Sequence, residues 1–117
     1  MFVLNLRLEH LDLSENEIVE IKPYSFSQSY TLMTLNLSKN KIGTVEKVDL
    51  QGLSQIASLN LTSNSINKIT AEAFSWSENL HEIGLADNRL ENLHNNTFNG
   101  KVRSTLMVLD MSNNLFR

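Results

Sequence analysis

The chain has no cysteine in its 117 residues. Disulfides, thiolate metal sites and a cysteine nucleophile are therefore excluded, although the compartment stays open. No apolar run approaches the roughly 18 residues that a membrane-spanning helix needs. The start, Met1-Phe2-Val3-Leu4-Asn5-Leu6-Arg7, lacks the positive n-region and long apolar core of a signal peptide. Blocks of like charge are missing and the net charge is only −3, so no nucleic-acid partner is expected. The length is that of one domain, and an apolar fraction of 41% is ordinary for a globular one.

What the chain does contain is a repeated frame. Residues 56–74 read Ile56-x-x-Leu59-x-Leu61-x-x-Asn64-x-Ile66-x-x-Ile69, with Phe74 following. The same frame holds Leu8, Leu11, Leu13, Asn16, Ile18, Ile21 and Phe26, then Leu32, Leu35, Leu37, Asn40, Ile42 and Val45 with Leu50 in the phenylalanine position. It recurs in Leu80, Ile83, Leu85, Asn88, Leu90, Leu93 and Phe98, and again in Leu106, Leu109, Met111, Asn114 and Phe116. The asparagines at 16, 40, 64, 88 and 114 set a period of 24, 24, 24 and 26 residues. Five copies in register are not a chance pattern.

The frame dictates its own physics. The central L-x-L is a short strand with alternate residues inward. Successive strands stack in parallel about 4.8 Å apart. Burying each inward leucine stabilises by roughly 1.5–3 kcal/mol, but only when a neighbouring coil covers it. Asn16, Asn40, Asn64, Asn88 and Asn114 are expected to form a structural ladder, each amide bonding backbone groups in its own turn and in the next coil. The return segments lack two turns of helical periodicity, and one holds Pro23. Turns, 3₁₀ pieces or single helical turns are expected there. Thr70–Phe74 is the best candidate for one helical turn, with Thr70 as its cap. The stretch 99–105 carries the two extra residues of the fourth copy and is expected to bulge as a loop.

This L-x-x-L-x-L-x-x-N-x-L frame resembles the leucine-rich-repeat superfamily over essentially the whole chain. The 24-residue period with aromatics at Phe26, Phe74 and Phe98 is similar to the typical extracellular subclass, found in Toll-like receptor ectodomains, Slit-like guidance proteins, small proteoglycans and adhesion proteins. Departures are Leu50, the longer fourth repeat and the missing cysteine caps. The resemblance implies an α/β fold: a right-handed solenoid bent into a horseshoe arc. Its concave side would be a parallel sheet of about five short strands, its convex side turns and 3₁₀ or single-turn helices. One domain is expected over 1–117: a repeat tail at 1–7, repeats at 8–31, 32–55, 56–79 and 80–105, and a partial repeat at 106–117. The expected protein is a fragment whose flanking repeats or caps are missing, with an apolar cross-section at each end.

The resemblance also implies recognition of a protein or glycan on the concave face. The residues flanking the inward leucines are the candidates: Glu9, His10, Asp12, Glu15, Thr34, Asn36, Lys39, Ser58, Asn60, His81, Glu82, Asp87 and Asp110. Six carboxylates against one lysine give this face a net charge of −5 in a chain of −3. Such a face can steer a basic partner. Three N-x-S/T sequons mark glycosylation candidates: Asn36, Asn60 and, on a returning turn, Asn95. Trp76 is expected to cover the convex side.

Catalysis finds no constellation here. His81-Glu82 lacks the second histidine of a zinc-protease motif. His10 and Asp12 have no nucleophile set beside them. Neither an enzymatic role nor a cofactor or metal is expected. Two readings stay open: an extracellular or cell-surface recognition module, favoured by the period, the aromatic column and the sequons, and a cytoplasmic scaffold or regulatory subunit, favoured by the absence of cysteine.

Overall fold

A computed structural model describes residues 7–100 and 102–116. The tail expected over residues 1–6, with Phe2 in the aromatic column, lies outside the described residues, as do Lys101 and Arg117. In chain order the strands are β1 (His10–Asp12), β2 (Thr34–Asn36), β3 (Thr44–Val45), β4 (Ser58–Asn60), β5 (Lys68–Ile69), β6 (Glu82–Gly84) and β7 (Val108–Asp110). Each L-x-L centre has become one of the three-residue strands. Strands β1, β2, β4, β6 and β7 lie side by side in that order in one parallel sheet. The chain is thus a solenoid with an extent of 42 × 32 × 21 Å.

The register is the same at every step. Leu11, Leu35, Leu59, Ile83 and Leu109 form one inward column, flanked by the His10–Thr34–Ser58–Glu82–Val108 and Asp12–Asn36–Asn60–Gly84–Asp110 columns. A slip of one residue would turn every leucine outward, so burial holds the register. Leu35, Leu59 and Ile83 are fully buried, whereas Leu11 and Leu109 are only half-buried. The three fully buried positions are the ones on strands paired on both sides. At the first coil, Leu13, Ile18, Ile21 and Phe26 line an open apolar hollow of about 240 Å³.

Each strand is stopped by a turn that the frame encodes. Glu15, Lys39, Ser63, Asp87 and Asn113 all adopt left-handed backbone, with φ between 54 and 58°. None is glycine, so each turn carries strain of order 1–3 kcal/mol. Backbone bonds between coils hold them there: Lys39 N–H donates to Thr62 O at 2.9 Å, and Ser63 N–H to Ala86 O at 2.9 Å. The frame asparagine comes next in each turn. Asn40 Nδ2 donates to Leu13 O, Leu37 O and Ser38 O, while its Oδ1 accepts from Ile18 N–H. Asn64, Asn88 and Asn114 repeat the pattern. The bonded neighbour is the preceding coil, not the following one expected from the sequence. Among the described residues, the Asn16 side chain reaches only Leu13 O and Ser14 O in its own turn.

The convex side consists of turns, one 3₁₀ turn and one α-turn, as expected, but the helical geometry does not fall where the residues suggested. Thr70–Phe74 is not a helical turn, because Glu72 takes φ 61° and donates its N–H to Asn96 O of the next coil at 2.8 Å. Thr70 caps nothing in its own segment; its Oγ1 accepts from Lys47 N–H across the coils. Tyr24, two repeats earlier, has the same conformation and donates to Val48 O. Helical geometry falls elsewhere. A 3₁₀ turn covers Lys47–Asp49, and one α-turn, α1 (Val102–Thr105), forms inside the stretch expected to be a loop. A two-stranded parallel sheet, β3 with β5, runs along the side of the second and third coils and had no counterpart in the sequence reading.

The aromatic column packs by alternation. Phe26 and Phe74 are buried with Ser29 and Ser77 three positions on, while the second repeat buries Leu50 and Leu53 in the corresponding places. Large and small side chains exchange positions from coil to coil, so close packing survives the loss of a phenylalanine. Phe74 stacks on Phe98 with ring centroids 5.6 Å apart. Gly52 sits against Phe26, and a Cβ there would lie 2.1 Å from Phe26 O.

Candidate binding face

The sheet places the candidate residues in columns on its concave side. Glu9, His10, Asp12, Glu15, Lys39, His81, Glu82, Asp87 and Asp110 are exposed; Thr34, Asn36, Ser58 and Asn60 are half-buried. The charges are unevenly spread. Glu9, Asp12 and Glu15 stand on the first coil, Glu82 and Asp87 on the fourth, and Asp110 on the fifth. The middle strands are neutral and polar, with Thr34, Asn36, Ser58, Asn60 and Thr62, and Lys39 stands at the turn after β2. Ser38 and Ala86, which flank inward leucines in the repeat frame, are buried instead of facing out.

One column is committed to local structure. Asp12 Oδ1 accepts from Ser14 N–H at 2.9 Å, Asn36 Oδ1 from Ser38 N–H, Asn60 Oδ1 from Thr62 N–H, and Asp110 Oδ1 from Ser112 N–H, each at 3.0 Å. These side chains close the bend after each strand. The bonds from the Ser14 hydroxyl and backbone lower the pKa of Asp12, and those from Ser112 lower that of Asp110. Both Ser112 bonds fall on Oδ1 of Asp110, which leaves its Oδ2 free of the turn. The fourth coil breaks the column with Gly84, and Asn60 Oδ1 and Thr62 Oγ1 lean over it, 3.0 and 2.8 Å from where a Cβ would stand.

The other columns are freer. His10 Nδ1 lies 2.7 Å from Thr34 Oγ1 on the next coil. Lys39, the face's one lysine, sits 3.7 Å from Glu15, with both side chains mostly in water. Such a pair contributes at most about 1 kcal/mol, so it orients the lysine without burying it. Glu9, Glu82 and Asp87 form no side-chain ion pair among the described residues. They are the carboxylates with least structural duty.

On the opposite side, a cross-coil cluster went unforeseen. Lys47 Nζ donates to Glu72 Oε2 at 2.9 Å and lies 5.8 Å from the ring centre of Trp76. Trp76 is half-buried, as a covering residue would be. A groove of about 350 Å³ opens beside β5, lined by residues 67–71 with Asn92 and His94. The exposed sequon asparagine Asn95 follows it directly. Nothing in the repeat frame marked this opening. Among the described residues no group of three or more His, Asp or Glu side chains could hold a metal ion, and no helix is long and apolar enough to cross a membrane.

The family model for the leucine rich repeat matches residues 7–66. Among solved structures, the crystal structure of a TLR13–ssRNA13 complex is similar, with a TM-score of 0.86 and 32% identity over 92% of this chain. The chain spans 15% of the length of that protein. No curated protein matches.

Proposed function

The chain belongs to the leucine-rich-repeat family, and we propose that it is a recognition segment of an extracellular receptor or adhesion ectodomain that binds a basic macromolecule on its acidic concave face. The observation carrying this reading is the placement of six exposed carboxylates on one side of the five-stranded sheet, with a neutral polar strip between them. A shallow, open face of this kind suits a protein surface. It excludes too little water to support catalysis. The likeness to a receptor with the same coil geometry supports the ectodomain assignment. A cytoplasmic scaffold is the alternative, and the absence of cysteine is what favours it.

Single-stranded RNA, the ligand in the TLR13 structure, is the competing ligand class. A polyanion gains affinity by releasing counterions to lysines and arginines. This face offers one lysine against six carboxylates, so its charge opposes RNA and favours a basic partner.

The test changes Glu9, Glu15, Glu82 and Asp87 together to lysine and leaves Asp12 and Asp110 to their turns. Association with a lysine-rich peptide is followed by stopped flow as salt is raised. The native chain is expected to associate quickly at low salt, and the variant about tenfold more slowly. Equal rates in the two proteins overturn the reading, and RNA binding by the native chain in the same assay replaces it.

A further inference from the structure

We propose that Asn99–Gly100 is a site of spontaneous deamidation in the folded protein, which ages the fourth repeat. The two residues lie in the extra stretch that lengthens this repeat to 26 residues. Gly100 is exposed, has φ +80°, and shows nothing within 4 Å of where a Cβ would stand. Its N–H donates no hydrogen bond among the described residues. That nitrogen is the attacking atom. It forms a bond to Cγ of Asn99 and closes a five-membered succinimide. The Cγ–Nδ2 bond breaks, and ammonia leaves with the proton from the Gly100 amide. Water then opens the ring. Attack at Cγ gives aspartate at position 99; attack at the backbone carbonyl carbon gives isoaspartate and a main chain longer by one carbon. Nothing is oxidised or reduced. Glycine favours the closure because no side chain crowds its nitrogen.

Asn64–Ser65 is the internal contrast. Its small following residue also makes it susceptible by sequence. Yet Asn64 Nδ2 is held by Leu37 O and Leu61 O, its Oδ1 by Ile42 N–H, and Ser65 N–H donates to Ile42 O at 2.9 Å. Neither the amide nor the attacking nitrogen can move until the coils open. Asn95–Asn96 is partly protected too, since Asn96 N–H donates to His94 Nδ1. Among the described residues Asn99 itself has one weak tether, its N–H to Asn96 O at 3.3 Å. Reaction there adds a negative charge one residue beyond Phe98, whose ring stacks on Phe74.

The experiment incubates the folded 117-residue chain in mildly alkaline buffer and follows each asparagine peptide by mass spectrometry, with isoaspartyl methyltransferase labelling as a second readout. Asn99 is expected to convert at least about tenfold faster than Asn64 in the folded protein, because Asn64 reacts only through opening. In denaturant the Asn64 rate should rise while the Asn99 rate holds. Conversion of Asn99 no faster than Asn64 in the folded chain, or an Asn99 rate that rises sharply on unfolding, overturns the proposal.

Discussion

The side-chain amide of Asn64 donates to the carbonyl of Leu37, 27 residues earlier, at 3.0 Å. The same side chain closes its own turn through Leu61 O and accepts from Ile42 N–H of the preceding coil. One residue thus completes a local bend and joins two repeats that are incomplete alone. Both amide atoms are spent, which leaves the ladder asparagines little capacity to meet a ligand.

Replacing Asn64 with leucine keeps the volume and leaves buried backbone groups without partners. A loss of about 2–3 kcal/mol is expected from urea unfolding. Asn16→Leu removes the two bonds that its side chain makes among the described residues, at an exposed turn, and is expected to cost less than about 1 kcal/mol in the same chain. Equal losses would mean that the bonds between coils contribute nothing.

Gly52 adopts φ +106° and lies against the Phe26 backbone. Alanine there meets main chain on one side and an unfavourable conformation on the other. Gly52→Ala is expected to lower stability by about 3 kcal/mol or to prevent folding. Gly43→Ala meets nothing within 4 Å and serves as the control, with an effect within about 0.5 kcal/mol. Thermal melts of the two variants side by side decide it.

Asp49 is buried beneath the 3₁₀ turn, and burial raises its pKa despite the bond from Glu46 N–H. A carboxyl raised on folding holds its proton more tightly in the folded chain than in the unfolded one. Its contribution is therefore most favourable below the ordinary aspartate range and is lost as pH rises through the raised value. Asp49→Asn keeps an acceptor for Glu46 and removes the charge. The variant is expected to be more stable than the native chain at neutral pH, with the gap closing in acid. Urea midpoints across pH measure this, and a gap that widens on acidification contradicts it.

Asn95 is exposed on a turn, whereas Asn36 and Asn60 are half-buried, paired in register on adjacent strands and bonded into their bends. Passage through a secretory pathway is expected to leave a glycan on Asn95 and none on Asn36 or Asn60. A mass shift on endoglycosidase treatment, lost in Asn95→Gln, is the expected result. Secreted protein without a glycan removes the sequons as support for an extracellular location.

The strands, the inward leucine column and the frame asparagines were legible without coordinates. Burial imposes a spacing on the residues it needs, and that spacing survives in the chain whatever the partners are. The candidate face was legible only in outline. Alternation places Asp12, Asn36, Asn60 and Asp110 outward, but it does not reveal that each closes its bend through a backbone N–H two residues on. Nor did the spacing show that Ser38 and Ala86 are buried.

The 24-residue frame by itself determined the coil, its register and the side that carries the acidic charge. The returns read as turns and single helical turns, and tertiary structure alone decided where the helical ones fall. Thr70–Phe74 has residues suited to a helical turn, yet Glu72 bonds a carbonyl 24 residues ahead and turns left-handed, while α1 forms in the stretch read as loop. It also decided which coil each asparagine holds. Apolar periodicity is a local quantity that a window of residues contains. A bond to a carbonyl 27 positions away exists only once the next coil has been laid down.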